Sequence, residues 1–233
     1  MSYKLAHHQR ISYLLNNFNV DFLVDNNIYF GGGTRIALEL HEFRESIDID
    51  LLCPTTESYR AVRNTVTSNS LGLLIKKEFE YLREISFDRY AVRVFIKGTP
   101  KPIKLEIVSF EKYHLTGKQD QLFPVPYLDI ESCFYTKLLA NADRAAQPPY
   151  KDIIDILFMI HCWGDIPQSA LSNAQVIYGN SVIKGLNLAV SDIQNNKDKY
   201  LTTCQSLGIT KQNINIILNE SLNKLLSYLE KQK

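Results

Sequence analysis

The chain has 233 residues, 45% of them hydrophobic, and 26 Lys and Arg against 25 Asp and Glu give a net charge of +1. Such a composition excludes a disordered or fibrous chain, and the near-neutral balance excludes a protein that wraps nucleic acid with its whole surface. The length suits one large domain or two small ones, with enough chain to bury a sizeable core. No apolar run reaches the ~20 residues of a membrane span. The longest, over 153–163, is interrupted by Asp155 and His161. The first ten residues, MSYKLAHHQR, lack the continuous apolar stretch of a secretory signal. Cys53, Cys133, Cys162 and Cys204 are far apart, so neither a zinc site nor a disulfide framework is expected. The expectation is a soluble protein of a reducing cytoplasm with no membrane association.

In chain order, Ile11, Leu14, Leu15, Phe18, Phe22 and Leu23 recur at helical spacing and predict an amphipathic helix over 8–24, ended by Asn26-Asn27. A short strand over 28–30 runs into Gly31-Gly32-Gly33, and 34–40 reads as a helix. Ile47, Ile49 and Leu51 alternate with Asp48 and Asp50, which predicts a strand over 47–53. Thr55 or Thr56 can cap a helix running to about residue 67. Strands are predicted over 73–81, 89–97 and 103–109. Beyond Pro124 and Pro126 the pattern turns helical. Asp129 is the candidate N-cap, and Pro148-Pro149 separates the first helix from a second over 150–163. Further helices are predicted over 167–178, 181–200 and 211–231. The fold class is therefore α+β, a mixed sheet flanked by helices over 1–125 followed by a helical bundle over 126–233.

The densest chemistry lies between Gly31 and Asp50. Residues two apart on a strand share a face, so Asp48 and Asp50 project together, about 7 Å apart. Two like charges at that spacing need compensation, and Mg²⁺, which favours carboxylate and phosphate oxygens, supplies it economically. Glycines between a strand and a helix start expose backbone N–H groups at the positive end of a helix dipole, an anion site suited to phosphate. Gly32 and Gly33 allow close approach, and the Thr34 hydroxyl can add a donor. The spacing fits neither the Walker A loop nor the dinucleotide fingerprint. Glu106 stands opposite Leu105 and Ile107 on the 103–109 strand. If that strand neighbours the Asp48 strand, three carboxylates gather beside a phosphate site, as in a two-metal phosphoryl-transfer centre. Arg35 and Arg44 can reach phosphate, although Arg44 suits an ordinary salt bridge equally well. Ser46 can simply turn the chain. On a helix, Asp152 and Asp155 share a face. With Lys137 and Arg144 they suit either nucleotide positioning or a set of salt bridges between helices. The basic residues of the middle strands suit an RNA backbone or a solvated sheet edge.

These residues resemble the nucleotidyltransferase superfamily that includes DNA polymerase β and, within it, the AbiEii/AbiGii toxin family. Gly32, Gly33 and Thr34 match its Gly-Gly-Thr turn. Arg44, Ser46, Asp48, Ile49, Asp50 and Leu51 match its Arg-x-Ser-x-Asp-Ile-Asp-Leu stretch. Lys137, Arg144, Lys151, Asp152 and Asp155 match its Lys…Arg…Lys-Asp-x-x-Asp segment. The resemblance covers 28–160 and departs at Glu106, where Asp is commoner. It implies that Asp48, Asp50, Glu106, Lys137 and Asp152 are catalytic, with the first three holding Mg²⁺ or Mn²⁺. It further implies that Gly32, Gly33, Thr34, Arg44, Ser46, Lys151 and Asp155 surround the nucleotide, where Arg35 can join them from its place after the glycines, and that the helical domain completes the active-site cleft. The implied reaction moves an NMP from an NTP to an acceptor hydroxyl with release of pyrophosphate. The acceptor would be RNA, tRNA included, or a protein, and a toxin of this kind would answer to an antitoxin encoded nearby. The alternatives are nucleotide transfer to an antibiotic-type small molecule and a decayed site that only binds nucleotide.

Overall fold

A computed structural model describes residues 3–98, 101–110 and 114–232. The chain divides into two compact units, Met1–Glu42 with Ser46–Asp129, and Phe43–Glu45 with Ile130–Lys233. The fold is α+β, as the pattern predicts.

The first unit begins with two helices, α1 (Ala6–Leu15) and α2 (Val20–Asp25), where one was predicted. Asn19 breaks the run, because its side chain accepts a hydrogen bond from the Phe22 N–H at 3.4 Å and caps α2. There follow β1 (Tyr29–Gly31), α3 (Gly32–Glu39), β2 (Asp48–Cys53) and α4 (Thr56–Thr65). Thr55 caps α4, accepting from the Ser58 N–H at 3.1 Å. The remaining strands are β3 (Ser86–Phe87), β4 (Ala91–Ile96), β5 (Ile103–Ser109), β6 (Gly117–Lys118) and β7 (Tyr127–Leu128).

Among the described residues these strands form one mixed sheet in the order β3-β4-β5-β2-β1-β7-β6. β2 runs parallel to β5 and antiparallel to β1, and β4 runs antiparallel to β5. The predicted 73–81 strand does not form. Gly72–Leu74 is a tight 3₁₀ turn, with Gly72 at φ +56°, and pairing over the stretch is confined to isolated bridges at Ile75 and Tyr81. Local bonds compete with a ladder there, since the hydroxyls of Ser70 and Tyr81 both donate to Glu78. The alternation of the true strands sorts the two faces. Ile49, Leu51, Val92, Val94, Leu105 and Ile107 are all buried, in one core with Ile11, Leu14, Leu23 and Val62 from α1, α2 and α4. The opposite face carries Asp48, Asp50, Arg93, Lys104 and Glu106.

The second unit is helical: α5 (Ile130–Arg144), α6 (Lys151–Trp163), α7 (Gln168–Tyr178), α8 (Ser181–Asn195), α9 (Lys197–Ser206), α10 (Lys211–Asn215) and α11 (Leu222–Glu230). A wider π turn over Ile216–Ser221 joins α10 to α11. The predicted 181–200 helix ends at Asn195, and the next residue's amide, Asn196 Nδ2, donates back to Asp192 Oδ1 at 2.7 Å. The short segment Phe43–Glu45 is held within this unit. Phe43 stacks on Phe158 at 4.1 Å between ring centroids, and the Glu45 N–H donates to the Leu207 carbonyl at 2.7 Å. Among the described residues all four cysteines are free, and no helix is long and apolar enough to cross a membrane.

Candidate active site

The acids come together because β2 and β5 are neighbours in a fixed register. Asp50 pairs with Glu106, and Asp48 pairs with Lys104. In a parallel ladder, paired residues stand on one face about 4.8 Å apart. Ile49 and Leu51 point the other way and are fully buried, which holds both aspartates on the open face, each half-buried. The glycine turn meets the same carboxylates. Gly31 pairs with Asp50 across the β1–β2 ladder, and Gly32 opens α3 at φ +69°. A Cβ at Gly32 would lie 1.9 Å from Asp50 Oδ2, so only glycine fits beside this carboxylate. Gly33 follows in the first turn of α3. Substituting Gly32 by Ala is expected to destabilise the protein by about 1–2 kcal/mol through the left-handed backbone alone. It should also displace Asp50. Denaturant titration reads the first effect, and a crystal structure of the variant reads the second.

Behind the turn, Thr34 and Ser46 serve the fold. The buried Thr34 hydroxyl donates to the Asp48 carbonyl, and it lies 2.8 Å from Ser46 Oγ. The donor expected for a phosphate is thus engaged in tying α3 to the start of β2. The Ser46 N–H donates to His8 Nε2 at 3.0 Å, which leaves the His8 Nδ1 proton for Glu42 Oε1 at 2.9 Å. Burial pushes the His8 pKa down despite the nearby Glu42. This buttress is not legible in the sequence, where the five histidines show no ligand spacing. Arg35, expected at a phosphate, is instead buried. It forms an ion pair with Glu39 one turn on, and its guanidinium lies 5.2 Å from the Tyr127 ring centroid. Its place in α3 turns it inward rather than towards the glycines.

Glu106 is held by two cations. Lys104 Nζ lies 2.7 Å from Oε2, and Arg93 Nε lies 3.2 Å from Oε1. Among the described residues no group of three or more His, Cys, Asp or Glu side chains is drawn together tightly enough to hold a metal ion. A preformed three-carboxylate cage is therefore not what the acids make. Asp48 and Asp50 on one face do fit Mg²⁺, which commonly takes one or two carboxylates and completes its shell with substrate phosphates and water.

In the second unit the remaining motif residues form a buried ionic network. Arg44 grips Asp155 through two bonds, Nε to Oδ1 at 2.6 Å and Nη2 to Oδ2 at 2.9 Å. Lys137 Nζ bridges Asp155 Oδ2 at 2.6 Å and Asp152 Oδ1 at 3.0 Å. Arg144 Nη2 reaches Asp152 Oδ2 at 2.6 Å. Asp152 and Asp155 thus share a face of α6, while Lys151 is half-buried on its first turn. Burial alone would neutralise Lys137, but Asp155 and Asp152 outweigh it and raise its pKa above that of ordinary lysine. Burial likewise works against ionising Asp155, yet Arg44 and then Lys137 hold its pKa below the usual carboxylate range. Asp152 is lowered the same way by Lys137 and Arg144, against its burial. Arg44 and Asp155, expected beside the nucleotide, are thus spent on each other. The salt-bridge reading describes this pair.

A family profile described as the AbiEii nucleotidyl transferase toxin of type IV toxin–antitoxin systems matches residues 13–201. The chain belongs to the AbiEii toxin family. Two solved structures resemble this AbiEii member along nearly its whole length. One, from Helicobacter pylori and described as a nucleotidyltransferase, has a TM-score of 0.56 at 15% identity, covering 100% of this chain and 99% of its own. The other, JHP933 from the same organism, has a TM-score of 0.56 at 15% identity, with 99% and 96% covered. At that identity the likeness is one of fold, and it supports the nucleotidyltransferase architecture. No curated protein matches the chain significantly.

Proposed function

We propose that this AbiEii-family chain transfers a nucleoside monophosphate from an NTP to an acceptor hydroxyl. The observation that carries the reading is the register that sets Asp50 beside Glu106 and against Gly32. The N–H groups at the start of α3, opened by Gly32 and Gly33, take the phosphates. Asp48 and Asp50 hold Mg²⁺ or Mn²⁺, which when bound neutralises phosphate charge and polarises the reacting phosphoryl group. Glu106 accepts the acceptor's proton. The acceptor oxygen bonds to the α-phosphorus, the bond to the β-phosphate oxygen breaks, and pyrophosphate leaves.

RNA is the acceptor we favour, and tRNA falls within that class. The open face continues from Glu106 to Arg93 and from Lys104 to Phe95 on β4. The Arg83 guanidinium stacks 3.9 Å from the Phe95 ring centroid. A guanidinium and a ring side by side at that edge are the kinds of group on which nucleic-acid strands stack. We further propose that the protein acts in the cytoplasm as a growth-inhibiting toxin under a partner antitoxin, in keeping with the family description. The test is incubation with each α-labelled NTP, Mg²⁺ or Mn²⁺, and either total RNA or lysate protein. Label in the RNA fraction is the expected result. Label in protein would reassign the acceptor, and no label from any NTP in either fraction would overturn the reading.

A further inference from the structure

Glu106 does not stand open to an arriving cation, and the two residues that hold it are not alike. Arg93 is anchored at both ends. Its Nη1 lies 3.0 Å from Asp88 Oδ2, while its Nε faces Glu106. Asp88 is itself fixed by the N–H groups of Tyr90 and Ala91, at 2.6 and 2.9 Å. Among the described residues Lys104 has a single ion-pair partner, Glu106 at 2.7 Å, and its side chain is 34% exposed. In the β2–β5 register it stands directly beside Asp48. It is a flexible point charge at the edge of the proposed metal position, while Arg93 is a fixed fork.

We propose that Lys104 is a resident counter-ion which a divalent metal must displace from Glu106, so that Lys104 sets the metal affinity of the site. The inference rests on the transferase reading for the position of the metal at Asp48 and Asp50. A divalent ion there and the Lys104 ammonium compete for one acidic face. Binding of the ion drives the ammonium off Glu106, and its four-carbon stem keeps it over the same face, where an incoming phosphate is the next available anion. Lys104 is on this account a positioning residue that couples metal entry to release of the third acid.

The test is calorimetric titration with Mn²⁺ in the absence of nucleotide, which needs no turnover. Removing the competitor in Lys104→Met should tighten Mn²⁺ binding by about tenfold, within the 5–150-fold range typical of coupled sites. Lys104→Arg should bind as the wild type does. In a Glu106→Gln background the added Lys104→Met change should gain clearly less, because the carboxylate that holds the ammonium is gone and only the repulsion across Asp48 and Asp50 remains. Lys97→Met removes an equal charge from an exposed pair with Glu80, 3.3 Å apart, and should leave Mn²⁺ affinity unchanged. Equal Mn²⁺ affinity in wild type and Lys104→Met would overturn the proposal while leaving the transferase reading intact. So would an identical gain in the Glu106→Gln background. Absence of Mn²⁺ binding in both proteins would remove the metal position and the proposal together. Tightened Mn²⁺ binding without any NTP labelling would support the counter-ion role and sink the transferase reading alone.

Discussion

Asp50→Asn is expected to slow nucleotide transfer by at least about 10²–10³-fold, the loss that follows removal of one preorganised electrostatic group. Asn has nearly the shape of Asp, and shape matters here because the carboxylate lies against Gly32. The substitution therefore changes charge while sparing the packing that Asp50→Ala would disturb. The half-buried position and the ladder pairing with Gly31 and Glu106 are backbone properties that the variant keeps. Its melting temperature should accordingly stay close to that of the wild type, with a stability change of no more than about 1 kcal/mol. Asp48→Asn should behave similarly, since Thr34 holds the Asp48 carbonyl rather than its carboxylate. Single-turnover labelling and a thermal melt on the same preparation separate the two quantities. An unchanged rate in a folded Asp50→Asn protein would remove this residue from the chemistry.

The part of this site legible in the sequence is the part set by short-range geometry. The alternation Ile47, Asp48, Ile49, Asp50, Leu51 forces both acids onto one face whatever lies around them. Glu106 was legible only on the condition that its strand neighbours β2, a long-range fact that alternation cannot supply and the ladder does. Sequence spacing also marked Asp152 and Asp155 as sharing a helix face, but not their partners. Arg44 and Asp155 are 111 residues apart, and nothing local distinguishes an arginine that meets a phosphate from one that meets an aspartate. Arg35 was misplaced because a long side chain can leave a helix towards sheet or solvent, and packing on Tyr127 decides the direction. The break at Asn19 and the failed 73–81 strand have a common cause. Polar side chains there bond to nearby groups, and a reading of apolar periodicity passes over them.

The buried network carries the largest stability prediction. Asp155 is fully enclosed, and both of its oxygens are taken by cations. In Asp155→Ala, Lys137 retains Asp152, but Arg44 loses its acidic partner while buried. Leaving one charge of a buried pair uncompensated typically costs about 3–5 kcal/mol. At roughly 2–4 °C per kcal/mol for a chain of this size, the melting temperature should fall by roughly 6–20 °C. Arg144→Ala should cost far less, because the Arg144 side chain is 54% exposed and water can replace it at Asp152. The network also predicts how stability varies with pH. The folded-state pKa of Asp155 lies below its unfolded value, so its contribution is present at neutral pH and is lost as pH falls from about 4 through the depressed value. Lys137 is raised, so its contribution holds until pH climbs past about 10.4 and is lost through the raised value. Asp155→Ala should therefore show a shallower acid limb than the wild type in denaturant titrations across pH. A double change, Arg44→Met with Asp155→Leu, should recover much of the lost stability if the pair serves only to join Phe43–Glu45 to α6, since well-packed apolar groups often match a buried ion pair. Recovered stability with recovered labelling would confine Arg44 and Asp155 to the fold. Recovered stability without labelling would return them to the chemistry, and the labelling assay on the double variant decides between the two.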